Sequence, residues 1–450
     1  MPDEIPDSPS PCNPNPLPSV RIWPEFMSTT PTRREPWSSA GTVGQIQTQP
    51  NSLTTEYFVQ PCPPKSLSES KTSTATLLLK PQPRDADHWS KEVHVLWDDI
   101  VTMRWAVVPS SSVKLLMIPL ILWSAWEAMV PYVATDSWNP FTPFLFISHL
   151  MPDSSQDDPQ YRKGWFDLLF VAYYIIFWSC IRQTLILHVF LPVAKHFRVR
   201  EARVERFGEQ GYAMLYFAVM GAWGVRIMGQ LPTWWYRTEV YWNSYPQWTI
   251  PPELKAYYLM QMAYWLQQIL VLVLGLEKPR KDYAELVAHH MVTIWLVAGS
   301  YVVNMTYIGN AVFVSMDIPD VFLAASLLLN YIKADRAKVV VFVTLLFVWA
   351  YFRHYLNLVM MWSLWTQYGL IPEFARRFSP LDGVWAPGWG KYLMFTSLLL
   401  LQCLQIAWFS LMLRIGYRAV TSSTVSDSRE SDDEDEDEAC DDAAAATKSG

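Results

Sequence analysis

The sequence predicts an all-α polytopic membrane protein with about eight transmembrane helices between two polar ends. Three observations predict it. Apolar residues fill 51% of the 450 positions and charged residues only 17%, against about 25% charged in soluble domains. Mean hydropathy is nonetheless only +0.08, so a very polar part offsets a very apolar one. Finally, apolar runs of about 20 residues, the length that crosses a bilayer core, recur through the middle of the chain.

Residues 1–90 read as a disordered cytosolic segment. They are rich in Ser and Thr, and 16 of the 33 Pro fall within the first 83 positions, a composition that buries too little apolar surface to fold. The first twenty residues lack an apolar core, so no cleavable signal peptide is expected. Residues 91–112 form an amphipathic lead-in. Trp89, Val93, Leu96 and Trp97 recur at helical spacing, which suits either the membrane surface or the helical body.

Eight candidate spans follow, at roughly 113–134, 165–194, 211–231, 254–276, 286–305, 309–331, 338–366 and 391–415; the third and fifth are the weakest as full spans. Residues 418–450 read as an acidic disordered tail. From Thr421 onward there are 11 Asp and Glu against Arg429 and Lys448. The tail therefore carries the acidic balance of a chain whose formal charge is −7. Nothing basic enough for a nucleic-acid partner is present. Cys12, Cys62, Cys180, Cys403 and Cys440 are scattered, which supports neither a disulfide framework nor a cysteine zinc site.

Ionisable residues inside spans are expensive and tend to be functional. The fifth and sixth spans concentrate them. His289 and His290 share a helix with Asp282 and Glu285. A short turn separates them from Asp317 and Asp320, so the two helices should pack antiparallel with two His facing two Asp. At about 1.5 Å per residue, Asp320 lies nearer His290 in depth than Asp317 does. Buried imidazoles beside carboxylates suit a general base or a nucleophile of fixed tautomer. Two other readings stand beside this one: zinc held by His and Asp, and polar pairs that only join helices. The eight His supply no HxxxH box of the membrane di-iron kind, and no metal is expected.

The run Leu276-Glu-Lys-Pro-Arg-Lys-Asp-Tyr-x-Glu-Leu-x-x-His-His-x-x-Thr, then Ser300-Tyr301, Asn304, Tyr307-Ile-Gly309 and Met316-Asp-x-x-Asp320-x-Phe-Leu, resembles the longevity-assurance motif of ceramide synthases, within the TLC-domain superfamily. Phe207-Gly-Glu-Gln-Gly-Tyr212 and Trp349-x-Tyr-x-Arg353-His354-Tyr-Leu-Asn357 resemble the fungal branch. The resemblance covers about 113–417, implies a TLC-type helical bundle there, and lacks the homeobox-like segment of animal members. Two positions depart from it. Met316 stands where many members have His, and Leu327 where the family has Lys.

The resemblance implies an acyl-CoA-dependent N-acyltransferase of the endoplasmic reticulum membrane. It would join a fatty acyl group to a sphingoid base such as dihydrosphingosine or phytosphingosine, with no cofactor beyond acyl-CoA as co-substrate. His289, His290, Asp317 and Asp320 are the expected catalytic residues. The imidazole would take the amine proton directly, or His289 would form an acyl-imidazole first. Arg353, His354, Arg280, Lys281, Tyr301 and Asn304 are expected to contact substrate. Arg182, His188 and Arg226 are expected to be structural or snorkelling. The Trp-rich stretch 234–248 reads as an interfacial belt, and the sequon at Asn304 is expected to stay unused. Acyl-chain preference would be sought at 367–390. Besides membrane lipids, the expected partners are a second copy or a small single-span accessory subunit. The alternative is a non-enzymatic TLC-domain protein for lipid sensing or transport, which has no need for both paired His and paired Asp.

Loop charge orients the spans. The loops 195–210, 277–285 and 332–338 carry 11 Lys and Arg, and the alternating ones carry 5, so the basic loops and both termini are expected in the cytosol. Terminal tags should be digested by protease added to intact microsomes; a protected tag at either end would contradict the arrangement. Ser431, followed by three acidic residues, is expected to be phosphorylated by an acid-directed kinase. Phosphopeptide mapping from growing cells should recover it modified, and an unmodified tail would remove the site.

Overall fold

The computed structural model describes residues 97–133, 138–275 and 283–422. The polar segment 1–90, the start of the lead-in, Arg280, Lys281 and the tail with Ser431 lie outside the described residues. Eight long helices organise the rest: α1 (Pro109–Val133), α2 (Phe166–His196), α3 (Glu201–Gln230), α4 (Pro252–Val273), α5 (Tyr283–Val302), α6 (Thr306–Tyr331), α7 (Asp335–Thr366) and α8 (Gly390–Ser422). They fall where the hydropathy pattern puts them. α1, α2, α6, α7 and α8 are long and apolar enough to cross a membrane, and the chain is a multi-pass membrane protein. α3, α4 and α5 do not meet that measure: α3 carries Arg and Glu along its first half, and α4 carries Lys255, Gln261, Gln267 and Gln268.

α3 and α6 pack closely, and small residues let them approach. A side chain at Gly224 would come within 2.8 Å of Val314 and 2.6 Å of the Tyr257 hydroxyl. The α5–α6 turn needs a left-handed residue, which Asn304 supplies with φ 62°; Asn tolerates this conformation better than most residues. α2 and α7 each widen into a π turn, at Ile186–Phe190 and Ala350–Tyr355.

The end of the bundle around the α5–α6 turn is capped by loops. A two-residue hairpin pairs Phe378–Ser379 with Val384–Trp385. It is pinned by Trp248 Nε1 donating to Asp382 O (3.1 Å), Asn304 Nδ2 to Gly383 O (2.7 Å) and Trp385 N to the Tyr245 hydroxyl (2.8 Å). The aromatic stretch 234–248 is only partly a belt. Trp234, Trp235 and Trp248 are exposed, whereas Tyr241, Trp242 and Tyr245 are buried, because the short helix Thr238–Asn243 folds inward and Trp242 Nε1 donates to Ser363 (3.3 Å). The lead-in also packs on the body at its end. Trp105 and Ala106 are buried and Asp99 pairs with Arg104 at 3.5 Å, while Trp97 stays exposed.

Beneath the cap, Lys255 of α4 is fully buried. Its Nζ lies 2.8 Å from Asp167 Oδ1 and donates to Ser148 O and Arg162 O. Asp167 also accepts from the Tyr301 hydroxyl at 2.8 Å. Lys163 caps the end of α5 by donating to Tyr301 O and Val302 O. Burial lowers the pKa of Lys163 to about 8, with Asp167 opposing the shift.

Removing one partner of a buried ion pair costs about 3–5 kcal/mol. Lys255→Met should therefore lower the melting temperature in detergent, and Lys255→Met with Asp167→Asn should recover much of the loss. Equal stability of Lys255→Met and the parent would show that the pair does not hold α2 to α4.

Candidate functional site

A cavity of about 1130 Å³ opens between α3, α4 and α5 on one side and α6, α7 and α8 on the other. His289, His290, Asp320 and Arg353 line its inner part, among Tyr264, Trp265, Trp349 and Trp408. It extends to the end of the bundle where α5 begins and α6 and α8 finish. There the wall is polar, with Glu209, Glu285, Asn330, Lys338 and Arg414.

The two imidazoles are held differently. His290 is buried, and its Nδ1 lies 2.8 Å from Leu286 O one helical turn back. A carbonyl can only accept, so in the neutral ring Nδ1 carries the proton and Nε2 is the basic nitrogen. His289 sits edge-on to Trp265 and Trp408, with ring centroids 5.8 and 5.1 Å away. Its Nδ1 is buried without a hydrogen-bond partner among the described residues. Glu285, which shares its helical face, lines the same cavity but does not fix this nitrogen.

The aspartates part company. Asp320 lines the cavity and pairs with Arg353, Oδ1 to Nη2, at 2.6 Å. Asp317 is absent from the cavity wall. It is fully buried against α3 beside Gly221 and accepts from Gln261 Nε2 of α4 at 2.6 Å; Gln261 in turn accepts from the Tyr216 hydroxyl at 2.7 Å. The expectation of two Asp facing two His is corrected here. Residues three apart are about 60° apart around a helix, enough on α6 to turn one carboxylate towards α3 and α4 and the other towards α7.

Other expected contacts are also relocated. Tyr301 and Asn304 lie at the capped end, about 18 Å along the helix from His289 for Tyr301, bonded to Asp167 and Gly383. Asn304 is buried. His354 is not on the cavity wall. Its Nδ1 accepts from Gln402 Nε2 at 2.6 Å, and its ring packs on Phe409. Arg182, expected to be structural, pairs with Glu209 at 3.7 Å and also lines the cavity. His188 bonds Thr184 O, and Arg226 pairs with Glu253 at the surface.

Sequence reasoning missed Trp265 and Trp408 on the cavity wall, Gln405 behind Arg353, and Gln261 and Gln402, which hold Asp317 and His354 away from the wall. A glutamine inside a predicted span was the available signal, since an unpaired amide in the membrane is costly.

The TLC domain family matches residues 206–414. Among curated relatives, sphingosine N-acyltransferase lac1 of Schizosaccharomyces pombe is 40% identical over 294 residues, covering 64% of this chain and 74% of the relative. Ceramide synthase LAG1 of Saccharomyces cerevisiae is 37% identical over 293 residues, covering 65% and 69%. Ceramide synthase 5 of Mus musculus is 29% identical over 227 residues, covering 50% and 51%.

Proposed function

Since this chain belongs to the TLC-domain sphingosine N-acyltransferases, the ceramide synthase family, we propose that His289, His290 and Asp320 carry its acyl transfer at the inner end of the cavity. The chain is an acyl-CoA-dependent ceramide synthase. The observation that carries the site assignment is the His pair and one carboxylate on the wall of a single cavity with an apolar interior and a polar mouth. The residues alone suit a general base or a nucleophile. The relatives supply the class of substrate.

A sphingoid amine is an ammonium in water and cannot attack a thioester until it loses a proton. In our reading His289 meets the acyl group first. Its ring attacks the thioester carbonyl, the C–S bond breaks, and coenzyme A leaves as the thiolate and takes up a proton. The amine then attacks the acyl-imidazole, its nitrogen bonds to the acyl carbon, and the C–N bond to His289 breaks. His290 Nε2 takes the proton that turns the ammonium into the attacking amine. The second proton, lost on attack, goes to the departing His289 nitrogen and replaces the N–H proton that His289 had given to the thiolate, so the one net proton released rests on His290. Asp320 holds the amine or the hydroxyls of the base. Asp317 supports the α3–α4–α6 packing through Gln261 and does not touch substrate.

Lys338 and Arg414 at the mouth suit the phosphates of coenzyme A. The apolar interior takes the lipid chains, and no cofactor is needed. The mouth opens at the end that carries the basic loops, which supports a cytosolic mouth and cytosolic termini in the endoplasmic reticulum membrane. α1 leaves Ile121 and Met129 largely exposed, a surface for lipid, for a second copy or for a small single-span accessory subunit.

Purified protein given acyl-CoA and dihydrosphingosine should form ceramide by mass spectrometry. His289→Ala and His290→Ala should each lose about 10²-fold or more while remaining inserted and abundant. Acyl-CoA alone should add one acyl mass to the protein on a peptide containing His289. An unmodified mass with sequential kinetics would leave direct transfer with His290 as base. Full activity in both variants would remove the assignment.

A further inference from the structure

Arg353 sits at the inner end of the cavity, where an arginine invites the reading of a substrate contact. Its bonds argue otherwise. Nη2 lies 2.6 Å from Asp320 Oδ1 and donates to Met316 O at 2.9 Å. Nη1 donates to Gln405 Oε1 of α8 at 2.7 Å. The guanidinium lies over the Trp349 ring, 4.1 Å from its centroid. Three helices thus hold one side chain that is itself 3% exposed. Three of the five N–H donors are used, and Nε, which has no partner among the described residues, is buried with the rest of the side chain, so little of the guanidinium is open to a phosphate or a thioester carbonyl.

Asp320 is held less fully. Its side chain keeps 17% of its surface open and lines the cavity with the two imidazoles. A carboxylate at this depth is costly without a countercharge, and a planar guanidinium fixes direction as well as charge. Gln405 adds the constraint that makes the arrangement single-valued. Its Oε1 takes one nitrogen of Arg353, and its Nε2 donates to Met316 Sδ at 3.6 Å. Met316 is the residue that departs from the family pattern, so the network also occupies the place where many members carry His.

We propose that Arg353 is a positioning residue, which with Gln405 as its anchor fixes the Asp320 carboxylate in the orientation used on the sphingoid amine, and that Arg353 makes no contact with acyl-CoA. The inference rests on the acyltransferase reading given above. The pair also makes this part of the wall neutral overall, so the wall selects an amine by a directed acceptor and not by net negative charge.

The test is a set of variants of the full-length protein in the ceramide assay, each with abundance and detergent melting recorded. Arg353→Met and Asp320→Asn should each lower kcat about 10²-fold with KM for acyl-CoA unchanged, and the double variant should lose about the same and not 10⁴-fold, because the two act as a unit. Arg353→Lys should recover part of the rate by restoring the charge without the fork. If Arg353→Met is not recovered folded, Gln405→Glu decides the matter. It keeps Arg353 and Asp320 but gives the guanidinium a rival carboxylate, and should lower kcat about 10-fold or more at unchanged KM. A Gln405→Glu enzyme at full kcat, multiplicative losses in the double variant, or a raised KM for acyl-CoA at constant kcat would overturn the proposal. His289→Ala serves as the reference. If it is inactive while Gln405→Glu is normal, only the positioning role fails; if it is active, the acyltransferase site itself was misassigned.

Discussion

A polar group carried into the apolar interior of this bundle is costly unless it finds a partner in the protein, because lipid offers none. That constraint selects the arrangement of the helices. The contacts that hold distant segments together are side-chain bonds between residues far apart in the chain: Lys255 with Asp167, Gln261 with Asp317, Arg353 with Asp320 and Gln405. Apolar packing between spans is nearly indifferent to rotation by comparison, since lipid tails are as apolar as leucine. The directional bonds choose which face of each helix turns inward, and the cavity is what remains when those faces are satisfied.

The site follows from the same rule. α6 brings two carboxylates into the interior three residues apart, and the bundle treats them oppositely. Asp317 is walled in by Gln261 against α3 and α4, while Asp320 is given a cation and left facing open space. One supports packing and the other is available for chemistry. His290 is tied to its own helix by Leu286 O, and His289 is braced by indole rings. Rings that press on an imidazole without hydrogen-bonding it orient it and leave its nitrogens for a ligand.

The positions of the helices were legible in the sequence because hydropathy is a local property, although only α1, α2, α6, α7 and α8 are long and apolar enough to cross a membrane. That the His pair and Asp320 lie together in the interior was legible for a related reason, since ionisable residues stand out in apolar surroundings. What stayed hidden was the pairing. Nothing near Arg353 in the chain points to Gln405, and nothing near Asp317 points to Gln261. The split between Asp317 and Asp320 depended on an angle of about 60°, too small to resolve without knowing which helices lie on either side. Tyr301 and Asn304, expected to contact substrate, belong to the cap and are absent from the cavity wall, a matter of depth that spacing alone did not give.

The π turn of α7 has a consequence for how this protein tolerates change in length. A wide turn holds one residue more than the regular spiral needs, and here it lets two consecutive residues, Arg353 and His354, both address α8, through Gln405 and Gln402. The half of α7 beyond it reaches the cap, where Ser363 meets Trp242. Losing a single residue inside the turn would let the spiral close to its ordinary pitch with both halves still in phase. Losing one elsewhere in the helix would swing everything downstream by about 100° and tear the cap from its seat. The helix therefore has one elastic joint, located beside the cavity wall. A single-residue deletion in this span is absorbed best in the segment that binds the two glutamines and worst in the segments that hold the bundle shut.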